Sequence, residues 1–83
     1  MAVFMVERSL KGISMEDLGA AQKAAISTSA QTEGVRYIRT TFAPGDGRCM
    51  CLFEGGSAED VRAVNDAAGL PYDRVVEALD LTP

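Results

Sequence analysis

Apolar and polar positions along the chain fall into two rhythms that alternate with each other. Ala2 to Arg8 holds Val3, Phe4, Met5 and Val6 in succession, a β-branched and aromatic run that predicts a first strand, ended by Lys11-Gly12. Ser14-Met15-Glu16-Asp17 then sets a hydroxyl three residues ahead of a carboxylate, which predicts a capped helix running through the alanine-rich stretch to about Ser29. Leu18, Ala21, Ala25 and Thr28 or Ser29 make its narrow inward stripe. Glu33-Gly34 ends that helix, and residues 35–42 read as a second strand. Pro44-Gly45-Asp46-Gly47 supplies hairpin chemistry, so residues 48–54 run back as a third strand. Ser57-Ala58-Glu59-Asp60 repeats the capping pattern, and Val61, Val64, Asn65 and Ala68 share one face of the helix that follows. Gly69 and Pro71 stop it, and residues 74–81 form the last strand.

The order βαββαβ predicts an α+β, ferredoxin-like sandwich, a single domain over residues 1–83. Its antiparallel sheet has the order 4-1-3-2, with both helices on one face. Because strand side chains alternate, each strand divides into two sets. Phe4, Val6, Ile38, Phe42, Cys49, Cys51, Phe53, Val76 and Ala78 carry no charge and are the expected core. Val3, Met5, Glu7, Val35, Tyr37, Arg39, Thr41, Met50, Leu52, Glu54, Val75, Glu77 and Leu79 mix apolar bulk with charge on the face without helices. No third layer remains to cover that face, and an apolar patch left in water marks a contact surface. The simplest cover is a second copy, sheet against sheet, in a dimeric α+β barrel.

In such a dimer Glu7, Tyr37, Arg39, Glu54 and Glu77 point between the sheets. With Ala43 opposite Arg48 in the hairpin, Tyr37 falls across from Glu54 and Arg39 across from Leu52, while Glu7 approaches Arg48 and Glu77. Three carboxylates against one or two guanidiniums make an acidic cavity suited to a cation, or to a carboxyl whose pKa is raised by its like-charged neighbours. The competing expectation is that these charges are simply solvated or paired at a dimer rim.

Composition narrows the chemistry. At 83 residues the chain has room for one core, and at this size about 60% of the unfolded surface is buried, which favours association. The 47% hydrophobic and 24% charged content is that of a globular domain. A net charge of −4 with eight dispersed Lys and Arg argues against nucleic acid. No apolar run approaches the length of a membrane helix, and residues 1–8 lack the pattern of a signal peptide, so the expected location is the cytoplasm without membrane contact. Histidine is absent, which removes both a hydrolase triad and the commonest metal ligand. Cys49 and Cys51 lack the spacing and additional ligands of a thiolate metal site and read as reduced core thiols. The glycine-rich turns match no phosphate-binding loop.

Phe4-Met5-Val6-Glu7-Arg8 with Leu10-Lys11-Gly12, then Cys51-Leu52-Phe53-Glu54, Val61-Arg62-Ala63-Val64-Asn65 and Ala68-Gly69-Leu70-Pro71, resembles the small bacterial, mainly actinobacterial, nickel-binding ferredoxin-like proteins that carry a domain of unknown function. The resemblance spans nearly the whole chain. It implies a dimeric ferredoxin-like protein and nickel or another divalent cation as ligand, with Glu7 and Glu54 lying in matching segments. Relatives place a histidine near the position of Asn65, so no metal ligand is carried over. The resulting expectation is a homodimeric cytoplasmic binding protein that holds a small molecule or a metal cation between its sheets. The alternative is a cofactor-free barrel enzyme, isomerase or monooxygenase-like, using the same carboxylates as acid and base.

Overall fold

A computed structural model describes residues 1–83. It contains β1 (Ala2–Ser9), α1 (Met15–Ala30), β2 (Arg36–Ala43), β3 (Arg48–Gly55), α2 (Ala58–Ala67) and β4 (Arg74–Ala78). The strands form one antiparallel sheet in the order β2-β3-β1-β4, the expected ferredoxin-like order read from the other edge.

Local chemistry accounts for the helix ends. The Ser14 hydroxyl accepts the Asp17 N–H at 3.0 Å, and the Ser57 hydroxyl accepts the Asp60 N–H at 3.1 Å. Glu16, Asp17, Glu59 and Asp60 in the first turns complement the positive ends of the helix dipoles. Helix α2 closes with paired bonds from Leu70 N–H to the Asn65 carbonyl and from Gly69 N–H to the Asp66 carbonyl, both 3.0 Å, with Gly69 at φ +71°. That is a Schellman ending, and it needs the glycine. Gly47, at φ +73°, packs so closely on the Lys11 backbone that a Cβ would collide with it. Its carbonyl accepts the Leu10 N–H at 2.7 Å, fastening the hairpin turn to the loop after β1.

Between helices and sheet lie Phe4, Val6, Cys49, Cys51, Phe53 and Val75 from the strands, Leu18 and Ala25 from α1, Val61 and Val64 from α2, and Val35. For β1 and β3 this is the face that alternation predicts. Two strands depart from prediction. In β2 a bulge falls between Tyr37 and Arg39, so Tyr37 stands opposite Phe53, and Arg36 takes the place opposite Glu54. Tyr37 therefore lies on the helix face, its ring edge-on to Phe53 at 5.6 Å and 78°. Val35 is buried, whereas Ile38, the extra residue, stays outside the core cluster.

Strand β4 is inverted relative to expectation. Val75 pairs with Val6 and joins the core, Val76 and Ala78 pair with Met5 and Val3 on the uncovered face, and Glu77 stands opposite Phe4 on the helix side, exposed at the sheet edge. Adjacent valines make either register acceptable to the hydrophobic effect, so polar contacts decide. The Asp73 N–H reaches the Glu7 carbonyl at 2.7 Å and the Arg74 guanidinium reaches the Glu7 carboxylate, placing Arg74 beside Glu7. The strand stops at Ala78, leaving Leu79 and Leu81 exposed.

Candidate functional site

The uncovered face carries Val3, Met5, Met50, Leu52, Val76 and Ala78 as a half-buried apolar strip crossing three strands. Of the predicted site residues, Glu7, Arg39 and Glu54 lie on this face; Tyr37 and Glu77 do not. Glu7 is buried at the centre of a triad, bonded through its two oxygens to Arg48 and Arg74. Glu54 meets Arg36 at 3.4 Å. Arg39 holds Asp80 through two bonds of 3.1 and 3.0 Å. Asp80 follows β4 and Arg39 belongs to β2, the opposite edge of the sheet, so the terminal segment turns back over part of this face.

The face is thus not acidic. Arg36, Arg39, Arg48 and Arg74 outnumber Glu7, Glu54 and Asp80, and each carboxylate is already engaged. The bulge moved Arg36 into the face and the β4 register brought in Arg74 while removing Glu77.

The cavities are on the other side of the sheet. One, of about 240 Å³, opens between α1 and the edge strand β2, lined by Met15, Leu18, Gly19, Gln22, Thr40 and Phe42. Past Leu18, Gln22 and Thr40, which line both spaces, lies an inner crevice of about 10 Å³, enough for a water-sized sphere, walled by Arg8, Leu10, Ala25, Cys49, Cys51 and Leu70 among others. The cleft exists because α1 turns Gly19, Ala21 and Ala25 toward it, residues too small to fill the gap.

One polar line crosses this apolar cleft. Gln22 donates to the Tyr37 hydroxyl at 3.0 Å, that hydroxyl bonds Thr40 Oγ1 at 2.6 Å, and Thr40 Oγ1 bonds Cys51 Sγ at 3.1 Å. Cys51 shares the inner crevice with the Cys49 thiol and Arg8. Burial first, and the neighbouring Cys51 second, push the Cys49 thiol up to about 11, against the pull of Arg8 toward the thiolate. Tyr37, predicted for the sheet-to-sheet space, belongs to this line.

Arg8 ends it. The residue is 4% exposed, its guanidinium donates to the Pro71 carbonyl at 2.9 Å and to Asn65 Oδ1, and it makes no ion pair. Asn65, 1% exposed, is fixed for this by donating to the Val61 carbonyl at 2.9 Å. A guanidinium out of water without a counter-charge is costly, and only neutral oxygens and the nearby C-terminal turn of α2 offset it here. The alternation that assigns Phe4 and Val6 to the core also puts Arg8 under the helices; that is the signal by which the sequence could have shown it.

The profile of a family described as nickel responsive protein, SCO4226-like, matches residues 4–78. The chain belongs to this SCO4226-like family. A crystal structure of SCO4226 from Streptomyces coelicolor A3(2) superposes with a TM-score of 0.84 at 32% identity, covering 98% of this chain and 100% of that one. No curated protein matches the sequence. No helix of this SCO4226-like chain is long and apolar enough to cross a membrane.

The family description makes nickel the metal to test against the residues present. Nickel is held by several nitrogen, sulfur or oxygen donors converging on one point. No three Cys, Asp or Glu side chains gather in this chain, and histidine is absent. Burial holds the proton on the Cys49 thiol, and the Arg8 guanidinium in the same crevice repels a cation. Glu7 is neutralised by two arginines. The donor set of a single chain does not fit nickel.

Proposed function

We propose that this SCO4226-like chain is a homodimeric binding protein: two copies cover each other's uncovered sheet face, and each holds a small molecule on the opposite side of its sheet, in the cleft beneath α1. The observation that carries the reading is the division of labour between the faces. The uncovered face has an apolar strip and charges already satisfied in pairs, which can be buried against a second copy without stranding an ion. The helix side has the open volume, a polar line and a buried charge, the features of a ligand site.

In this reading Glu7, Arg39 and Glu54 organise the interface and do not ligate a cation. Glu7 clamps β1 to β3 and β4 through Arg48 and Arg74, and Arg39 anchors the terminal segment through Asp80. Leu79 and Leu81, exposed on either side of Asp80, are placed to extend the contact onto the second copy. Retention of a small molecule without turnover is the proposed activity, in the protein's own compartment, the cytoplasm.

Native mass spectrometry of the purified protein, with and without added NiCl₂, tests this directly. The expected spectrum is a dimer that carries an organic adduct or none, with no specific nickel. A monomer at micromolar concentration overturns the assembly. Tight nickel binding that disappears in Glu54→Gln moves the site to the intersheet space, since Glu54 is the carboxylate of that face least firmly held.

A further inference from the structure

We infer that the cleft beneath α1 selects a small carboxylic acid with an apolar body, its carboxylate meeting Arg8 and its body lying toward the mouth between Met15 and Phe42. The inference rests on the reading of that cleft as the ligand site and adds the chemical class of its occupant. Three observations carry it. The first is charge: Arg8 is the buried cation of the chain, and every other arginine that forms an ion pair does so on the far side of the sheet, so the missing counter-charge must come from outside the chain or not at all. A planar guanidinium is matched by a carboxylate through charge-assisted bonds.

The second is the wall. Leu10, Leu18, Ala25 and Leu70 surround the crevice, which suits an apolar body and disfavours a hydrated inorganic anion. The third is access. The inner crevice alone is too small for a carboxylate, but it shares Leu18, Gln22 and Thr40 with the outer space of about 240 Å³, and Gln22 is an exposed side chain whose rotamer change widens the way between them. The Cys49 thiol, which lines the crevice with Arg8, adds to the selection: held protonated by burial, it donates weakly to an arriving oxygen and does not compete for the cation.

The test uses the full chain with hexanoate and benzoate against their neutral counterparts, hexanamide and benzamide, followed by ¹⁵N-edited NMR and calorimetry. Expected are shifts of the Leu10, Leu18, Thr40 and Leu70 amides and of the Arg8 Nε–H signal with the acids, and affinity for the amides about tenfold weaker or less. A Cβ at Gly19 meets nothing within 4 Å, so Gly19→Leu fills the outer cavity from a helix position that gains propensity by the change. It is expected to fold with an unchanged or higher Tm and to lose binding of both acids. Amides that bind as tightly as acids overturn the carboxylate assignment while leaving the cleft as a site. Absence of any shift at the cleft amides overturns the cleft itself, and undiminished binding to Gly19→Leu places the ligand elsewhere.

Discussion

The two faces of the sheet handle charge in opposite ways. On the uncovered face four arginines and three carboxylates are all engaged with one another, and Glu7, the one deeply buried among them, has two partners. Beneath the helices a single guanidinium sits among leucines, thiols and carbonyls with no carboxylate near enough to pair. A surface closed by internal ion pairs is prepared for burial by another protein. A buried cation left open to a cavity is prepared for a ligand. The proposed function assigns association and binding to opposite sides of one four-stranded layer on the strength of that difference.

The sharpest way to break this comparison uses neighbours in β3 that point in opposite directions. Phe53→Ala removes a side chain that is 0% exposed and is expected to destabilise the fold by about 3–5 kcal/mol, enough to unfold much of a small domain; chemical denaturation measures it. Leu52→Asp, one residue away, should leave the circular dichroism spectrum intact and weaken the dimer by at least about a hundredfold in sedimentation equilibrium, because it buries a carboxylate in the proposed interface. If Leu52→Asp sediments as the wild type does, the uncovered face is not the interface.

Glu7→Gln removes the charge shared by Arg48 and Arg74 and should cost about 1–3 kcal/mol in urea midpoint experiments. No loss of stability would mean that the triad does not set the β4 register. On the helix face, the Cys49 thiol keeps its proton until about 11 in the folded chain against an ordinary value of 9.0. As pH rises from 9 toward 11 the unfolded state releases this proton first. Stability is therefore undiminished below about 9 and falls through that window, with Tyr72, also raised by burial and by the neighbouring Asp66 carboxylate, acting in the same direction. A pH series of thermal melts on wild type and Cys49→Ala reads it: the variant should show a shallower alkaline loss. The smallest effect belongs to the exposed pair. Asp80→Asn should change stability by less than about 1 kcal/mol, while releasing the terminal segment as seen by faster amide exchange at residues 79–83.

Six elements, both caps and the strand order were legible in the sequence, because serine caps, glycine stops and period-two alternation are local and do not compete. The charged site was less so. Glu7, Arg39 and Glu54 were placed on the right face by alternation counted within β1, across the hairpin from Ala43, and within β3. Tyr37 and Glu77 were misplaced because alternation propagates any error to every later residue of a strand: one inserted residue at Ile38, or one choice between Val75 and Val76, reverses the assignment. Arg8 shares the parity of Phe4 and Val6 in β1, and that spacing points it inward.

The amino-acid order by itself determined where the helices and the first three strands begin and end to within a residue or two, since those boundaries follow from turn residues and capping hydroxyls acting over a few residues; the last strand, with no such stop after it, ends at Ala78 and not at Leu81. Only the folded chain decided which of two adjacent valines entered the core, that a bulge would turn Tyr37 toward α1, and that four arginines and three carboxylates from β1, β2, β3, β4 and the terminal segment would engage one another on one face while Arg8 stayed alone behind it. Those outcomes depend on hydrogen bonds and ion pairs between residues up to 67 positions apart, as between Glu7 and Arg74. Their relative free energies are set by desolvation and geometry in the assembled sheet, and no window along the chain contains both partners.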